Sequence, residues 1–181
     1  MPVTFTKVEN ITDAAAVKSA YVPTHPGKFE VIYAEGDYNS MLIASKPYAK
    51  GEIICNVEGA TVGSKTYTSV QVAKDGHIEL NSDLVYMNHS CNPSIILDMD
   101  KRIVVAAVDL KPGDNMTFFY PSSEWDMSQP FPCWCGADKC IKTINGAKFL
   151  TKEQVSNQFI ALHIQELMEE RDAAKAKEKA E

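Results

Sequence analysis

No apolar run in this sequence is long enough to cross a bilayer. The longest, such as Ile103–Val108, stop far short of the roughly 20 residues that a spanning helix needs. Residues 1–20 hold no apolar stretch behind a basic start, so no secretory signal is expected. Lys/Arg-rich stretches are missing as well, which argues against nucleic acid as a partner. The expected setting is therefore intracellular, cytoplasmic or nuclear, with neither membrane nor nucleic acid as partner. In that setting the glycosylation-like triplets at Asn10, Asn88 and Asn115 carry no meaning. The five cysteines then point to a metal or to buried thiols before disulfides.

What is present is ordinary for a globular protein. The 181 residues suit one domain with a modest core, or one domain and a small appendage. Apolar residues make up 45% and charged residues 23%, which excludes a disordered chain. The net charge of −6 suits a cationic partner, such as a lysine-rich peptide, better than a polyanion.

Along the chain, residues 1–27 read as an irregular N-terminal arm with Pro23, Pro26 and Gly27, in which Asp13 can cap a short helix over Ala14–Ala20. From Phe29 onward the pattern is short β-like runs with turn signals between them. The same grammar occurs twice: Met41–Ala44 passes through Lys50-Gly51-Glu52 into Ile53–Val57, and Ile103–Val108 passes through Lys111-Pro112-Gly113-Asp114 into Met116–Phe119. Residues 121–132, with three prolines, read as a connection and not as a core element. Thr151 and Gln154 have the spacing of a capping box. Ile160, Ile164, Leu167 and Met168 then recur at helical spacing, predicting a helix over 151–168 that packs on the domain or on a second copy as a homodimer. The Ala/Lys/Glu-rich tail from Glu169 has nothing to bury and is expected to fray.

The cysteines carry the first chemical signal. Cys133, Cys135 and Cys140 are spaced C-x-C-x4-C, so three thiols can converge on one ion. A structural zinc takes four ligands, so one must come from elsewhere. Cys91, in the polar run Asn88-His89-Ser90-Cys91-Asn92-Pro93, is the best candidate; His89 and His77 are rivals by type. Cys55 lies inside an apolar run and reads as a core residue.

Three motifs in order then resemble one family. Asn88-His89-Ser90-Cys91-Asn92-Pro93, followed after about two dozen residues by Met116-Thr117-Phe118-Phe119-Tyr120 and then by the C-x-C-x4-C cluster, is similar to the SET domain with its post-SET segment, over roughly residues 28–146. The resemblance implies an α+β fold, mainly β, of small sheets with a pseudoknot, a zinc-stapled post-SET loop and a C-terminal helix. Its expected parts are an arm (1–27), the SET domain (28–123), the post-SET zinc segment (124–146) and the C-terminal helix and tail (147–181). It also implies methyl transfer from S-adenosylmethionine to a lysine of a protein or peptide. Asn88 and His89 would contact the cofactor, with Ser40, Met41, Tyr86 and Trp134 around it. Tyr120 would be the catalytic tyrosine beside the acceptor, and Cys91 would complete the zinc site with Cys133, Cys135 and Cys140.

The sequence departs from the family pattern in definite places. The usual Gly-x-Gly falls on Asn39-Ser40-Met41, the arginine before the Asn-His pair is Val85, and the acid or amide before the last tyrosine is Phe119. Side chains at 39 and 41 can intrude on the cofactor, and a left-handed backbone is difficult for Met41. Two alternative readings follow: a SET-fold enzyme turned to a small molecule, and a non-catalytic interaction module in the same fold.

Overall fold

The computed structural model describes residues 7–8, 11–36 and 38–180. In the arm, helix α1 (Ala14–Ala20) forms where expected, and the Asp13 carboxylate accepts the N–H of Ala16 at 3.0 Å. The helix buries none of its residues. What fixes the arm lies just after it. The Tyr21 hydroxyl and the Thr24 N–H both donate to Asp83 Oδ2, at 2.5 and 2.8 Å, and Asp83 is fully buried in a 3-10 turn at Asp83–Tyr86.

The body is a set of small sheets. Strands β1 (Phe29–Ile32) and β2 (Met41–Ala44) form an antiparallel pair. Strands β3 (Ile53–Asn56), β8 (Ile95–Asp98) and β9 (Ile103–Ala106) form a three-stranded sheet in the order β3-β9-β8. Strands β4 (Thr61–Gly63), β5 (Ser69–Ala73) and β6 (Gly76–Glu79) form another, with β6 in the middle. The shorter pairs are β7 (Asn88–His89) with β10 (Thr117–Phe118), and β11 (Phe131–Pro132) with β12 (Thr143–Ile144). The repeated turn grammar has one backbone cause: Gly51 and Gly113 sit at φ 86° and 90°, a region that side chains disfavour. In β3 a bulge between Ile53 and Cys55 lets the adjacent Ile54 and Cys55 both face inward, so Cys55 is the core residue its apolar run predicts.

The main core gathers Phe29, Leu42, Leu84, Ile95, Leu97, Val104 and Met116 between these sheets. A second, smaller core joins Cys91 and Phe119 to Ala147, Leu150, Val155, Ile164 and Met168. The capping box at Thr151 and Gln154 is present, but helix α2 ends at once (Lys152–Val155), and α3 runs separately over Leu162–Glu178. The predicted continuous helix is broken because residues 156–161 serve other bonds. Gln158 donates to the Cys91 carbonyl at 2.9 Å, and Ala161 N–H donates to the Ser122 carbonyl at 2.9 Å. The stripe packs on the domain through Ile164 and Met168, each contributing about 2 kcal/mol of burial. The tail stays helical to Glu178 rather than fraying. Arg171 pins its first turns by donating to the carbonyls of Ala147, Lys148 and Leu150 at 3.1, 3.0 and 2.8 Å.

Residues 121–132 also differ from expectation. Pro121, Ser122, Ser123 and Glu124 are buried, and only the later part is surface connection. Glu124 and Trp125 are clamped by the 3-10 turn at Ala147–Phe149: Ala147 N–H bonds the Glu124 carbonyl at 2.8 Å and Lys148 N–H the Trp125 carbonyl at 2.9 Å. Gly146, at φ 106°, makes this possible, because a Cβ there would collide with the Trp125 carbonyl. Gly146→Ala is therefore expected to cost about 3 kcal/mol in urea unfolding. A loss under about 0.5 kcal/mol would show that the clamp has room to give.

Candidate active site

Strands β7 and β10 lie parallel, with Thr117 opposite Asn88 and Phe118 opposite His89, so motifs far apart in the chain become neighbours. Asn88 Nδ2 donates to the Ser40 carbonyl at 3.1 Å, which ties the loop before β2 to the same place. The Tyr120 N–H donates to His89 Nδ1 at 3.1 Å. With Nδ1 acting as acceptor, a neutral His89 carries its proton on Nε2, and that atom stands 3.3 Å from Cys91 Sγ. Burial lowers the His89 pKa to about 4, so the ring is neutral near pH 7.

Tyr120 is held at both ends, its N–H on His89 and its hydroxyl donating to the Met87 carbonyl at 2.9 Å. Its ring packs against those of His89, Phe118 and Phe131, at centroid distances of 5.3, 4.7 and 6.2 Å. Burial raises the pKa of its phenol, which is neutral near pH 7.

These residues open onto a cavity of about 790 Å³. It brings together Ser40, Tyr86, Asn88, His89, Tyr120 and Trp134 from the sequence-derived set. Tyr86 is buried, and its hydroxyl accepts the N–H of Val8 at 2.9 Å, so the arm forms part of the wall. Trp134 lines the cavity but is 84% exposed. Met41 is not brought to this cavity; it lines a smaller one of about 340 Å³, which shares Asn88 and His89 with the larger. Where the family pattern has glycines, the left-handed residue is Tyr38 at φ 61°, and neither Asn39 nor Met41 takes that conformation.

The four thiols of Cys91, Cys133, Cys135 and Cys140 lie within 4.8 Å of one another and can hold a metal ion. Backbone donors converge on them: Ile141 N–H on Cys91 Sγ and Lys142 N–H on Cys140 Sγ, each at 3.4 Å. Of the two rival ligands, His89 lies beside the cluster and His77 is elsewhere, near Glu124.

Sequence reasoning missed Glu124. It lines the large cavity at 8% exposure, and its Oε1 accepts the Gln71 N–H at 2.7 Å. It belongs to no motif; the one available signal was an acid one helical turn after Tyr120. Burial raises its pKa to about 7.

No family model matches the chain. Methyltransferase flvH of Aspergillus flavus is 38% identical over 162 residues, spanning 88% of this chain and 91% of that protein. The histone-lysine N-methyltransferase trr of Drosophila melanogaster is 36% identical over 66 residues. The chain belongs to the SET-domain methyltransferases. The match to trr spans 33% of this SET-type methyltransferase and 3% of the much longer relative. The methyltransferase domain of human histone-lysine N-methyltransferase SETMAR superposes at a TM-score of 0.47, over 65% of this chain and 58% of that one, at 16% identity.

The Glu124 carboxyl makes a checkable contribution to stability. Its pKa rises on folding from 4.5 to about 7, so the folded state binds more protons in that window. Stability is then full below the unfolded pKa and falls as pH rises through about 7, by on the order of 3 kcal/mol. Glu124→Gln is expected to flatten this slope in urea unfolding between pH 5 and pH 8; an unchanged slope would place the carboxyl in water.

Proposed function

We propose that this protein transfers a methyl group from S-adenosylmethionine to the side-chain amine of a lysine in a protein or peptide, on a scaffold stapled by structural zinc. The observation that carries the reading is the bond from the Tyr120 N–H to His89 Nδ1, which joins the Asn-His motif to the tyrosine motif at one cavity. The cavity suits the cofactor. It has room for a nucleoside-sized ligand, the Asn88 and Ser40 polar groups at its wall, and aromatic surface at Tyr86 and Trp134. Those residues with His89 would hold the cofactor, which supplies an electrophilic methyl on a sulfonium.

The chain's own contribution is orientation and desolvation. A lysine amine has a pKa of about 10.4 and attacks only when neutral. The walls of Phe118, Tyr120 and Phe131 exclude water and so disfavour the ammonium form. The neutral Tyr120 phenol donates its proton to the Met87 carbonyl, which leaves its oxygen as an acceptor toward the incoming amine. Holding the nucleophile in line with the methyl is worth several powers of ten in rate.

The donor set supports zinc, since four converging cysteine sulfurs with backbone N–H donors around them would, as thiolates, supply the four ligands that a structural zinc takes. The His89 Nε2–H facing Cys91 Sγ would then donate to a thiolate and lock the ring. The acidic surface, with a net charge of −6, favours a lysine-rich partner.

Calorimetric titration with S-adenosylmethionine and with its demethylated product tests the cofactor. Micromolar binding that Asn88→Ala abolishes is the expected result, and no binding at millimolar cofactor would overturn the reading. Metal analysis is expected to find one zinc per chain. Cys91→Ser should unfold the smaller core, because structural zinc contributes on the order of 10 kcal/mol. A metal-free protein with an unchanged melting curve would refute the staple.

A further inference from the structure

The lining of the large cavity carries two charged side chains among the described residues, Lys7 from the arm and Glu124. Glu124 is the buried one, and one of its oxygens is uncommitted. Oε1 is held by the Gln71 N–H. Oε2 receives no hydrogen bond from the described residues. It stands 4.0 Å from His77 Nε2, a buried nitrogen that also has no hydrogen-bond partner. Burying a carboxyl is costly unless its oxygens are satisfied. Here one oxygen is bound to the fold, and the other is left without a hydrogen bond on a residue that lines the cavity.

The placement ties this carboxyl to the reaction. The Glu124 N–H donates to the Tyr120 carbonyl at 3.1 Å, so carboxyl and phenol hang from the same turn. The aromatic rings of Phe118, Tyr120 and Phe131 form one packed wall of the same cavity. A carboxylate that lines one cavity with aromatic faces is a composition that recognises an organic cation, by charge and by π-face.

We infer that Glu124 receives the methyl acceptor as a cation, its Oε2 taking a hydrogen bond from the ammonium of an aliphatic amine that enters against the aromatic wall. This deepens the methyltransferase reading, on which its place in the reaction rests. The carboxylate gathers the protonated amine from water and selects it over neutral side chains of the same shape, before the amine loses its proton to solvent water and, as the neutral nucleophile, meets the methyl group. The groups that act on Glu124 are few. His77 approaches from β6 and is kept neutral chiefly by burial, Lys65 acts from the loop between β4 and β5, and His163 of α3 acts on His77. Tyr120 lies on the same turn, and Lys7 lines the cavity with it.

The test uses the full, zinc-replete chain and n-butylammonium as the probe, titrated by NMR with and without the demethylated cofactor, with 1-pentanol as the uncharged control. In the natural protein n-butylammonium is expected to saturate in the millimolar range and to bind more tightly as pH rises from 6 to 8, because the carboxyl ionises while the amine stays charged. Glu124→Gln keeps the acceptor for the Gln71 N–H. It is expected to weaken the cation about tenfold, the scale of one charge-assisted bond, to leave 1-pentanol within about twofold, and to remove the pH trend. Equal n-butylammonium affinity in the two proteins would overturn the inference. So would an equal loss of 1-pentanol, which would mean general damage to the cavity, or no binding of the cation at roughly 100 mM. Binding of the demethylated cofactor, recorded in the same samples, separates the two failures. A chain that ignores the cofactor sinks the methyltransferase reading, and one that binds it but ignores Glu124→Gln sinks only the amine anchor.

Discussion

The imidazole of His89 bonds in two directions, and the site is arranged around that ring. Nδ1 accepts the backbone N–H of Tyr120, and Nε2 faces the sulfur of Cys91. Because one nitrogen is committed as acceptor, the other must carry the proton, so the ring has a defined tautomer and a defined plane. Burial keeps it uncharged. A charged or rotated ring would release the Tyr120 backbone on one side and the cysteine loop on the other. The tyrosine, the Asn-His strand and the thiol cluster therefore share one orientation.

Around this ring the two cores divide the work. The main core holds the small sheets together and positions β7 beside β10. The smaller core joins Cys91 and Phe119 to the C-terminal helices, with Cys133, Cys135 and Cys140 packed against it. Phe119 takes the place of an acid or amide in the family pattern and is buried there. The departure supplies apolar contact for the C-terminal segment. Glu124, five residues later, places a carboxyl at the cavity instead. The loss of the two glycines at Asn39-Ser40-Met41 is met in a similar way. The loop takes its left-handed step one residue earlier, at Tyr38, and Asn88 holds the Ser40 carbonyl from β7.

Much of this was legible in residue order because local rules apply. Asp13 capping α1, the capping box at Thr151 and Gln154, the paired glycine turns, and Cys55 as a core residue all depend on neighbours a few positions away. The convergence of Cys91 with the C-x-C-x4-C cluster was legible through ligand number, since zinc chemistry requires a fourth donor. Where longer-range bonds competed, local reading failed. The helix expected over 151–168 is interrupted because Gln158 and Ala161 bond to Cys91 and Ser122. The tail holds its helix because Arg171 finds three carbonyls. Residues 122–124 are held inside by distant partners: Ala161 bonds Ser122, His163 bonds Ser123, and Ala147 and Gln71 bond Glu124.

By itself, then, the sequence determined the family, the set of thiols that converge and the tyrosine motif, because residue types at fixed spacings encode those without reference to distant contacts. Tertiary structure alone decided which of these groups share a cavity. It brought Ser40, Tyr86, Asn88, His89, Tyr120 and Trp134 together and sent Met41 to a neighbouring space. It also decided that an acid outside every motif lines the cavity with Tyr120, because the burial of the carboxyl and the bond to one of its oxygens depend on a strand some fifty residues away in the chain.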